Sequence, residues 1–321
     1  MSREGRLNRM STKGIVVVGS LNLDLVVQVD KIPSVGETVL GRAFQTHPGG
    51  KGANQAAEIG LLMSPVHMIG RVGSDDFGRQ LRHSLDSMGV DTTAVTTTEG
   101  PSGIAMIEVQ ASGDNCIVVA SGANALLTTA DLDAHIDLIR NASLVLTQLE
   151  TPIPTLEHLA AICQREQVPL MLDPAPACPL SADLLSRLTW ITPNETEAQT
   201  LTGSKHSLDN EADVRQLAEA LLKMGPKNVV VKLGERGAYL ALEDGTRAAV
   251  PAFQVKAVDT TAAGDCFNGA FAVALAKGTP PIAAARFAAA ASAISVTRPG
   301  AQPSMPTLAE VEAFLKTHDR L

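Results

Sequence analysis

Residues 258–271 read VDTTAAGDCFNGAF: a polar turn, three small residues, one carboxylate, and then Phe267, Ala270, Phe271 and Ala274 on a single helical stripe. A loop therefore opens a helix at this point. The amides of Ala262, Ala263 and Gly264 are expected to lie unpaired at the positive end of that helix, where an anion can settle. Asp265 then stands beside an anion hole. A carboxylate there repels a bound phosphate, so it makes more sense as a base aimed at a phosphate acceptor than as a binding group. Taken alone, it is equally an acidic residue in the first turn of a helix, stabilising the dipole.

Working outward from this stretch, βα units recur along the chain. Strands are expected at 15–18, 67–72, 144–149, 170–173 and 190–192, and helices at 77–88, 130–140, 154–166, 214–224, 267–277, 282–296 and 308–317. Such alternation predicts an α/β fold with a doubly wound, mostly parallel sheet flanked by helices, and ligands at the carboxyl ends of its strands. Two segments break the rhythm. Short alternating runs at 25–46 (LVVQV and TVLGRAF around IPSVGE) and at 103–120 read as hairpins that pair into a small β-sheet lid. The expected organisation is an extension at 1–13, flexible and basic with Met10 as a second possible start, and one domain at 14–321 carrying both lid inserts.

Composition narrows the function. The chain has 321 residues, 45 % apolar but only 3 % aromatic, and a net charge of −8, which argues against nucleic acid or an anionic membrane as partner. No apolar run approaches a membrane span. Cys116, Cys163, Cys178 and Cys266 have neither disulfide nor zinc spacing, so reduced thiols and a cytoplasmic location are expected. The loop after the first strand, SLNLD, lacks the glycine fingerprint of dinucleotide enzymes, which disfavours a dehydrogenase.

Other motifs cluster around the same chemistry. Asn22 and Asp24 are two apart, so on an extended chain they face one way, either as a turn-forming pair or as ligand contacts. In HPGGKGANQAAEIGLL, glycines lead into a helix bearing Lys51 and Asn54. This is not a Walker A loop, because Gln45 and Gly52 occupy positions that need Gly and Ser or Thr. With Asn22 and Asp24 it looks like a polyol pocket. Glu150 and Asp173 end strands at the ligand edge. Asn194 and Glu197 have capping-box spacing, and their oxygens also suit the water shell of a magnesium ion. Gly234 and Gly237 sit in a turn between two strands at 228–242, where a flat base fits.

Four of these motifs, GGKGANQA (49–56), TPNETE (192–197), VDTTAAGDCFNG (258–269) and TRPGAQPS (297–304), make the chain resemble the ribokinase-like, or PfkB, carbohydrate kinases from residue 15 to residue 315. The resemblance implies transfer of the ATP γ-phosphoryl group to the 5-hydroxyl of D-ribose. It implies Asp265 as catalytic base, Ala262, Ala263 and Gly264 as anion hole, and Asn22, Asp24, Gly50, Lys51, Asn54 and Glu150 as sugar contacts. Asp24 would take two adjacent ribose hydroxyls. ATP would meet Asn194, Lys232, Gly234, Glu235, Gly237, Gly264, Asp265 and Ala289, the last standing where relatives often have a polar residue beside adenine. Asn194 and Glu197 would serve Mg2+ through water, and Asp259, Thr261, Ser295, Arg298, Gly300 and Ser304 would surround K+. A homodimer through the lid strands is also implied. Many relatives have Gly where this chain has Ala262. Cys266 is either a reactive thiol or a buried, inert one. The competing expectations are kinases acting on 2-deoxyribose, adenosine, fructose or ketodeoxygluconate, and a sugar sensor without catalysis.

Overall fold

The computed structural model describes residues 13–318 except positions 111, 113, 206, 207 and 209; the extension expected at 1–13 lies almost wholly outside the described residues. The chain begins with β1 (Ile15–Val18), passes through β2 (Asn22–Val29) and β3 (Ala43–Gly49), and enters α1 (Lys51–Leu61). Next come β4 (Val66–Gly73), α2 (Asp76–Ser87), β5 (Val95–Thr98), β6 (Gly103–Gln110) and β7 (Asn115–Ala120). Beyond these lie α3 (Thr129–Ala134), α4 (Ile136–Arg140), β8 (Leu144–Thr147), α5 (Ile153–Arg165), β9 (Leu170–Leu172), α6 (Ala182–Ser186), β10 (Trp190–Ile191) and α7 (Glu195–Thr202). The last part holds α8 (Glu211–Lys223), β11 (Asn228–Lys232), β12 (Ala238–Ala241), β13 (Arg247–Val250), α9 (Ala263–Ala276), α10 (Pro281–Ser295) and α11 (Leu308–His318).

Nine strands form one sheet in the order β13-β12-β11-β10-β9-β8-β1-β4-β5, parallel except where β12 meets β11 and β13. The central strand explains the layering. In β1 all four residues are buried; Ile15 and Val17 join the core under α1, α9 and α10, while Val16 and Val18 join the core under α5 and α8. A continuous β-branched run is what a strand covered on both faces requires. The order in which strands are added reverses at β1, whose parallel neighbours are β4 on one side and β8 on the other. The crevice beyond the carboxyl ends of β1 and β8 is thus the topological switch point, where open α/β sheets bind ligands.

The lid exists as a separate four-stranded sheet, β3-β2-β6-β7, with β2 and β6 parallel and the outer pairs antiparallel. Its second strand differs from expectation. TVLGRAF was expected to form it, but β3 starts only at Ala43 and continues through His47 and Pro48 to Gly49. Proline is tolerated because β3 is an edge strand. Gly50 then turns the chain into α1 with φ of 87°, where a Cβ would lie 2.6 Å from the Asn22 nitrogen. The single helix expected at 130–140 is two, α3 and α4, broken at His135. No helix among the described residues is long and apolar enough to cross a membrane.

Candidate active site

Helix α9 begins inside the organising stretch, one turn earlier than its apolar stripe indicates, so Asp265 lies in the first turn. Ala262 is the N-cap residue, with φ 58° and ψ 13° in the left-handed region. Among the described residues the N–H groups of Ala262 and Gly264 find no acceptor, as expected. The Ala263 N–H differs: it closes a long bond of 3.2 Å to the Thr260 carbonyl.

Asp265 is buried, and both its oxygens accept from amides on α1: Oδ2 from Asn54 Nδ2 at 3.0 Å and Oδ1 from Gln55 Nε2 at 3.1 Å. Burial raises its pKa, and the neighbouring Asp173 adds to this, while Lys51 and the two amide donors oppose it. Cys266, the next residue, is fully buried and its thiol is pushed well up by burial and by Glu58, so it is the inert alternative that holds.

The expected sugar contacts converge across the switch point. Glu150, just past β8, accepts at Oε2 from Ser20 Oγ at 2.5 Å, from the Lys51 backbone N–H at 3.2 Å and, at the outer limit of 3.5 Å, from Asn22 Nδ2. Asn22 is fixed from its other end by Asn124, whose Nδ2 donates to Asn22 Oδ1 at 2.7 Å while also donating to the Leu21 carbonyl. Asn22 and Asp24 do share one face of an extended strand, β2, opposite Gly49 and His47. Asp24 makes no hydrogen bond among the described residues, and neither does the Lys51 ammonium. Burial, then Glu150 and Asp265, raise the Asp24 carboxyl to about 7. Lys51 moves the other way from a buried lysine: burial alone lowers its pKa, but Asp265, Asp173, Glu150 and Glu197 outweigh this and raise it. An acceptor-rich pocket of this kind needs hydroxyl donors to be satisfied, and a polyol brings them.

On the other side of α9 lies a cleft of about 470 Å³ lined by Lys232, Gly234, Glu235, Gly237, Ala263, Gly264 and Ala289, together with Phe253, Val255, Ala257 and Val296. Six of the eight expected ATP contacts therefore share one cavity. Asn194 and Asp265 are not in its wall, though Asn194 pairs with Lys232 by a bridge between backbones. Lys232 is ion-paired to Asp173 at 2.9 Å.

Asn194 and Glu197 form the expected capping box of α7: the Asn194 side chain accepts from the Glu197 N–H at 2.8 Å, and Glu197 Oε2 and Oε1 accept from the Asn194 N–H and Nδ2 at 2.8 and 2.9 Å. Burial raises the Glu197 pKa, with Lys232 opposing and Asp173 adding to it. Among the described residues no group of three or more His, Cys, Asp and Glu is arranged to hold a metal ion. A Mg2+ that keeps its waters and rides on nucleotide phosphates needs no such cage, and the spare lone pairs of Glu197 suit that donor set.

The residues expected around K+ are drawn together by the turn before α9 and the loop after α10. Asp259 accepts from the Thr261 N–H at 2.9 Å and the Gly300 N–H at 2.8 Å, and Ser295 Oγ pairs with Ser304 Oγ at 2.8 Å. The Arg298 side chain turns away to Glu310 at 2.5 Å. Asp259 thus uses its charge to tie two loops together. Four residues not named in the sequence reading belong to the site: Gln55, Asn124, Gln302, which donates to Asn54 Oδ1 at 3.3 Å, and Phe253. Gln55 and Gln302 each have a cue, their places inside GGKGANQA and TRPGAQPS, whereas Asn124 and Phe253 have none.

Known proteins resemble this chain over most of its length. Residues 12–308 match the pfkB family carbohydrate kinase. A ribokinase of Schizosaccharomyces pombe is 42% identical over 306 residues, covering 93% of this chain and 96% of that protein. A deoxyribokinase of Salmonella typhi is 35% identical over 307 residues, covering 95% of this chain and 99% of that protein. The solved structure of Arabidopsis thaliana ribokinase complexed with ribose and ATP superposes with a TM-score of 0.89 at 36% identity, covering 95% of this chain and 99% of that one.

Proposed function

The chain belongs to the pfkB family of carbohydrate kinases, and from that membership we propose that it transfers the γ-phosphoryl group of ATP to the 5-hydroxyl of D-ribose, giving D-ribose 5-phosphate and ADP. The observation that carries this is the position of Asp265. It is a buried carboxylate at the start of α9, aimed by two amides, with the acceptor-rich pocket on one side and the small-residue cleft on the other. In-line phosphoryl transfer asks a protein mainly for alignment and charge neutralisation.

In this scheme Asn22, Asp24, Gly50, Lys51, Asn54 and Glu150 hold the sugar so that its 5-hydroxyl meets Asp265, which takes the proton. The Ala262 and Gly264 amides face the transferred group, and the Ala263 amide joins them by giving up its long bond to Thr260. ATP lies in the cleft against Lys232, Gly234, Glu235, Gly237 and Ala289. Asn194 and Glu197 would hold Mg2+ through water, and the ion would supply neutralisation of phosphate charge. The Asp259, Thr261, Ser295, Arg298, Gly300 and Ser304 loops would hold K+, chiefly through carbonyls.

Removing the base gives the direct test. Asp265→Asn should lower kcat by on the order of 10²–10⁴ while ribose still binds; near-full turnover would refute the mechanism. The acceptor is tested by coupled ADP release with D-ribose, 2-deoxyribose, fructose and adenosine, each with and without K+. Similarity to a deoxyribokinase makes 2-deoxyribose the rival acceptor. Asp24 favours ribose, because a buried acceptor facing a missing hydroxyl stays unpaired.

The lid supports a homodimer: Phe44, Ile117, Val118 and Val119 are exposed on β3 and β7, and every residue of β7 is exposed. A dimer through these strands should sediment as one, and Val118→Glu should release the monomer. All four cysteines are free thiols, in keeping with a reducing, cytoplasmic setting.

A further inference from the structure

Asn54 and Gln55, adjacent on α1, both reach Asp265, and Gln55 neither lines the cleft nor stands among the expected sugar contacts. Its side chain is fully buried. Nε2 donates to Asp265 Oδ1 at 3.1 Å and to Asp173 Oδ2 at 3.0 Å, and Oε1 accepts from Gln148 Nε2 at 2.7 Å. Both donor hydrogens go to carboxylates, and the oxygen accepts from a buried amide. Asp173 Oδ1 in turn accepts from Lys232 Nζ at 2.9 Å, and a Cβ added at Gly264 would lie 3.3 Å from that Nζ. An unbroken chain of contacts runs from Gln148 through Gln55, Asp173 and Lys232 to the edge of the nucleotide cleft.

We propose that Gln55 is a positioning residue for the base, fixing the plane of the Asp265 carboxylate from the nucleotide side through Asp173 and Lys232, as Asn54 fixes it from the sugar side. The proposal rests on Asp265 being the base. Two buried carboxylates repel each other, and a single amide nitrogen with two in-plane hydrogens is a compact group that satisfies both at once. Because Gln148 donates to the oxygen end, the amide is held with its nitrogen toward the carboxylates. Without Gln55, Asp265 keeps one amide of two and can turn about its side-chain bonds. Misplacement of a reacting group by about 1 Å costs on the order of 10² in rate.

The charged groups facing Asp265 are Lys51 from α1, Asp173 from the end of β9 and Asp24 from β2, with Glu58 of α1 and the Cys266 thiol behind it. Removing the Gln55 donor withdraws a hydrogen bond from the ionised carboxylate and leaves the repulsion from Asp173 unscreened. The acid limb of kcat must then move to higher pH.

The test is steady-state kinetics of the full chain with D-ribose and MgATP from pH 5 to 9, for Gln55→Leu, Gln148→Met and Asp265→Asn. Gln55→Leu is expected to lower kcat about 10–100-fold, to change the KM for ribose less than about 3-fold, and to shift the acid limb upward. Gln148→Met leaves the bridge in place but unanchored, and should show the same signature at about 3–10-fold. It decides the matter alone if Gln55→Leu fails to fold. An unchanged kcat, a loss confined to KM, or a fall in kcat with an unmoved acid limb would overturn the proposal. If Asp265→Asn loses turnover while both glutamine variants keep it, only the role of Gln55 fails; if Asp265→Asn keeps turnover, the base assignment fails and the proposal with it.

Discussion

The two sides of the α9 N-terminus are built from opposite materials. On the sugar side Asp24, Lys51, Asn54, Glu150 and Asp265 crowd together, with most of their polar atoms engaged or poised. On the nucleotide side the wall is Ala257, Ala263, Gly264, Ala289, Ala293 and Val296, and Lys232 is already held by Asp173. On the proposed assignment the sugar is selected by side-chain charge and hydrogen bonding, and the nucleotide by shape and backbone amides. The two halves should fail differently: charge changes should be felt mainly by the sugar, volume changes mainly by the nucleotide.

Asp24→Asn should have the largest effect of the variants that probe this contrast. The KM for ribose is expected to rise on the order of 100-fold, with that for ATP unchanged, because an amide cannot accept at both ends. The raised pKa of about 7 sets the pH dependence. The ionised form, the better acceptor of two hydroxyls, prevails above that value, so the KM for ribose should climb as pH falls through it, and the Asn variant should lose this limb. In the ligand-free protein the sign reverses. A folded-state pKa above the unfolded one means that stability present at low pH is lost as pH rises through about 7. Asp24→Asn should therefore raise the melting temperature at pH 8. A charge kept for substrate at a cost to the empty fold is a common trade in binding sites. Equal losses for ribose and ATP would break the proposed division of labour.

Ala289→Leu tests the other half. Three added carbons in the cleft should raise the KM for ATP about 10-fold and leave ribose alone, since steric exclusion from an apolar wall has that scale. A matching loss for ribose would show that the two pockets are not separable.

The same contrast governs what was legible in the chain. The sheet, the helices and the lid follow from periodicity and turn residues, and the glycine-rich joints from motif shape. What periodicity missed is short or partnered at a distance. β5 and β13 are four-residue edge strands at opposite ends of the sheet, too short to show a period. β3 was misplaced because TVLGRAF alternates well and HPG does not; pairing with β2, rather than intrinsic preference, selects the strand. Gln55, Asn124 and Gln302 act on residues far along the chain, 210, 102 and 248 positions away. An amide with long-range partners looks like any surface amide until the fold is in hand. Phe253 escaped notice for a similar reason. It lines the cleft while packing edge-on against Phe314 of α11 at 5.2 Å, a pairing that no local pattern announces.

The seam between the halves offers a smaller effect, on stability rather than turnover. Glu58 of α1 is fully buried against α9, where its carboxyl meets the Cys266 thiol, a weak donor, and makes no stronger hydrogen bond among the described residues. Burial pushes its carboxyl well above the ordinary range, so the folded chain carries it protonated where the unfolded chain is ionised. Stability from this group is then full below the unfolded pKa and declines as pH rises toward the folded one. Glu58→Met, similar in shape and without the polar atoms, should stabilise the protein by about 1 kcal/mol at pH 8 and flatten the decline between pH 5 and 8, read by urea melts. A destabilised Met variant would mean that the acid has a partner essential to the seam.

Ala262 sits where both halves meet, and its effect should be the smallest. It holds φ at 58° as the residue before α9, and on the proposed mechanism this turn aims the Ala262 and Gly264 amides at the transferred group. An alanine in the left-handed region costs roughly 1 kcal/mol. Ala262→Gly removes that cost but gives the unfolded chain more freedom, worth about 0.4–1 kcal/mol against folding. The two terms nearly cancel, so stability should change by less than about 0.5 kcal/mol. The measurable consequence lies in the rate. Alanine restricts the turn to one conformation before nucleotide arrives, whereas glycine must be ordered by it, so kcat with MgATP should fall by no more than about 3-fold while the KM for ribose stays fixed. A gain of more than about 2 kcal/mol would instead reveal a turn held under strain by the packing of α9 against α1 and α10. In that case the anion site would resemble the sugar pocket, maintained at the expense of the empty fold, and the contrast between the two halves would be confined to the cleft beyond Gly264.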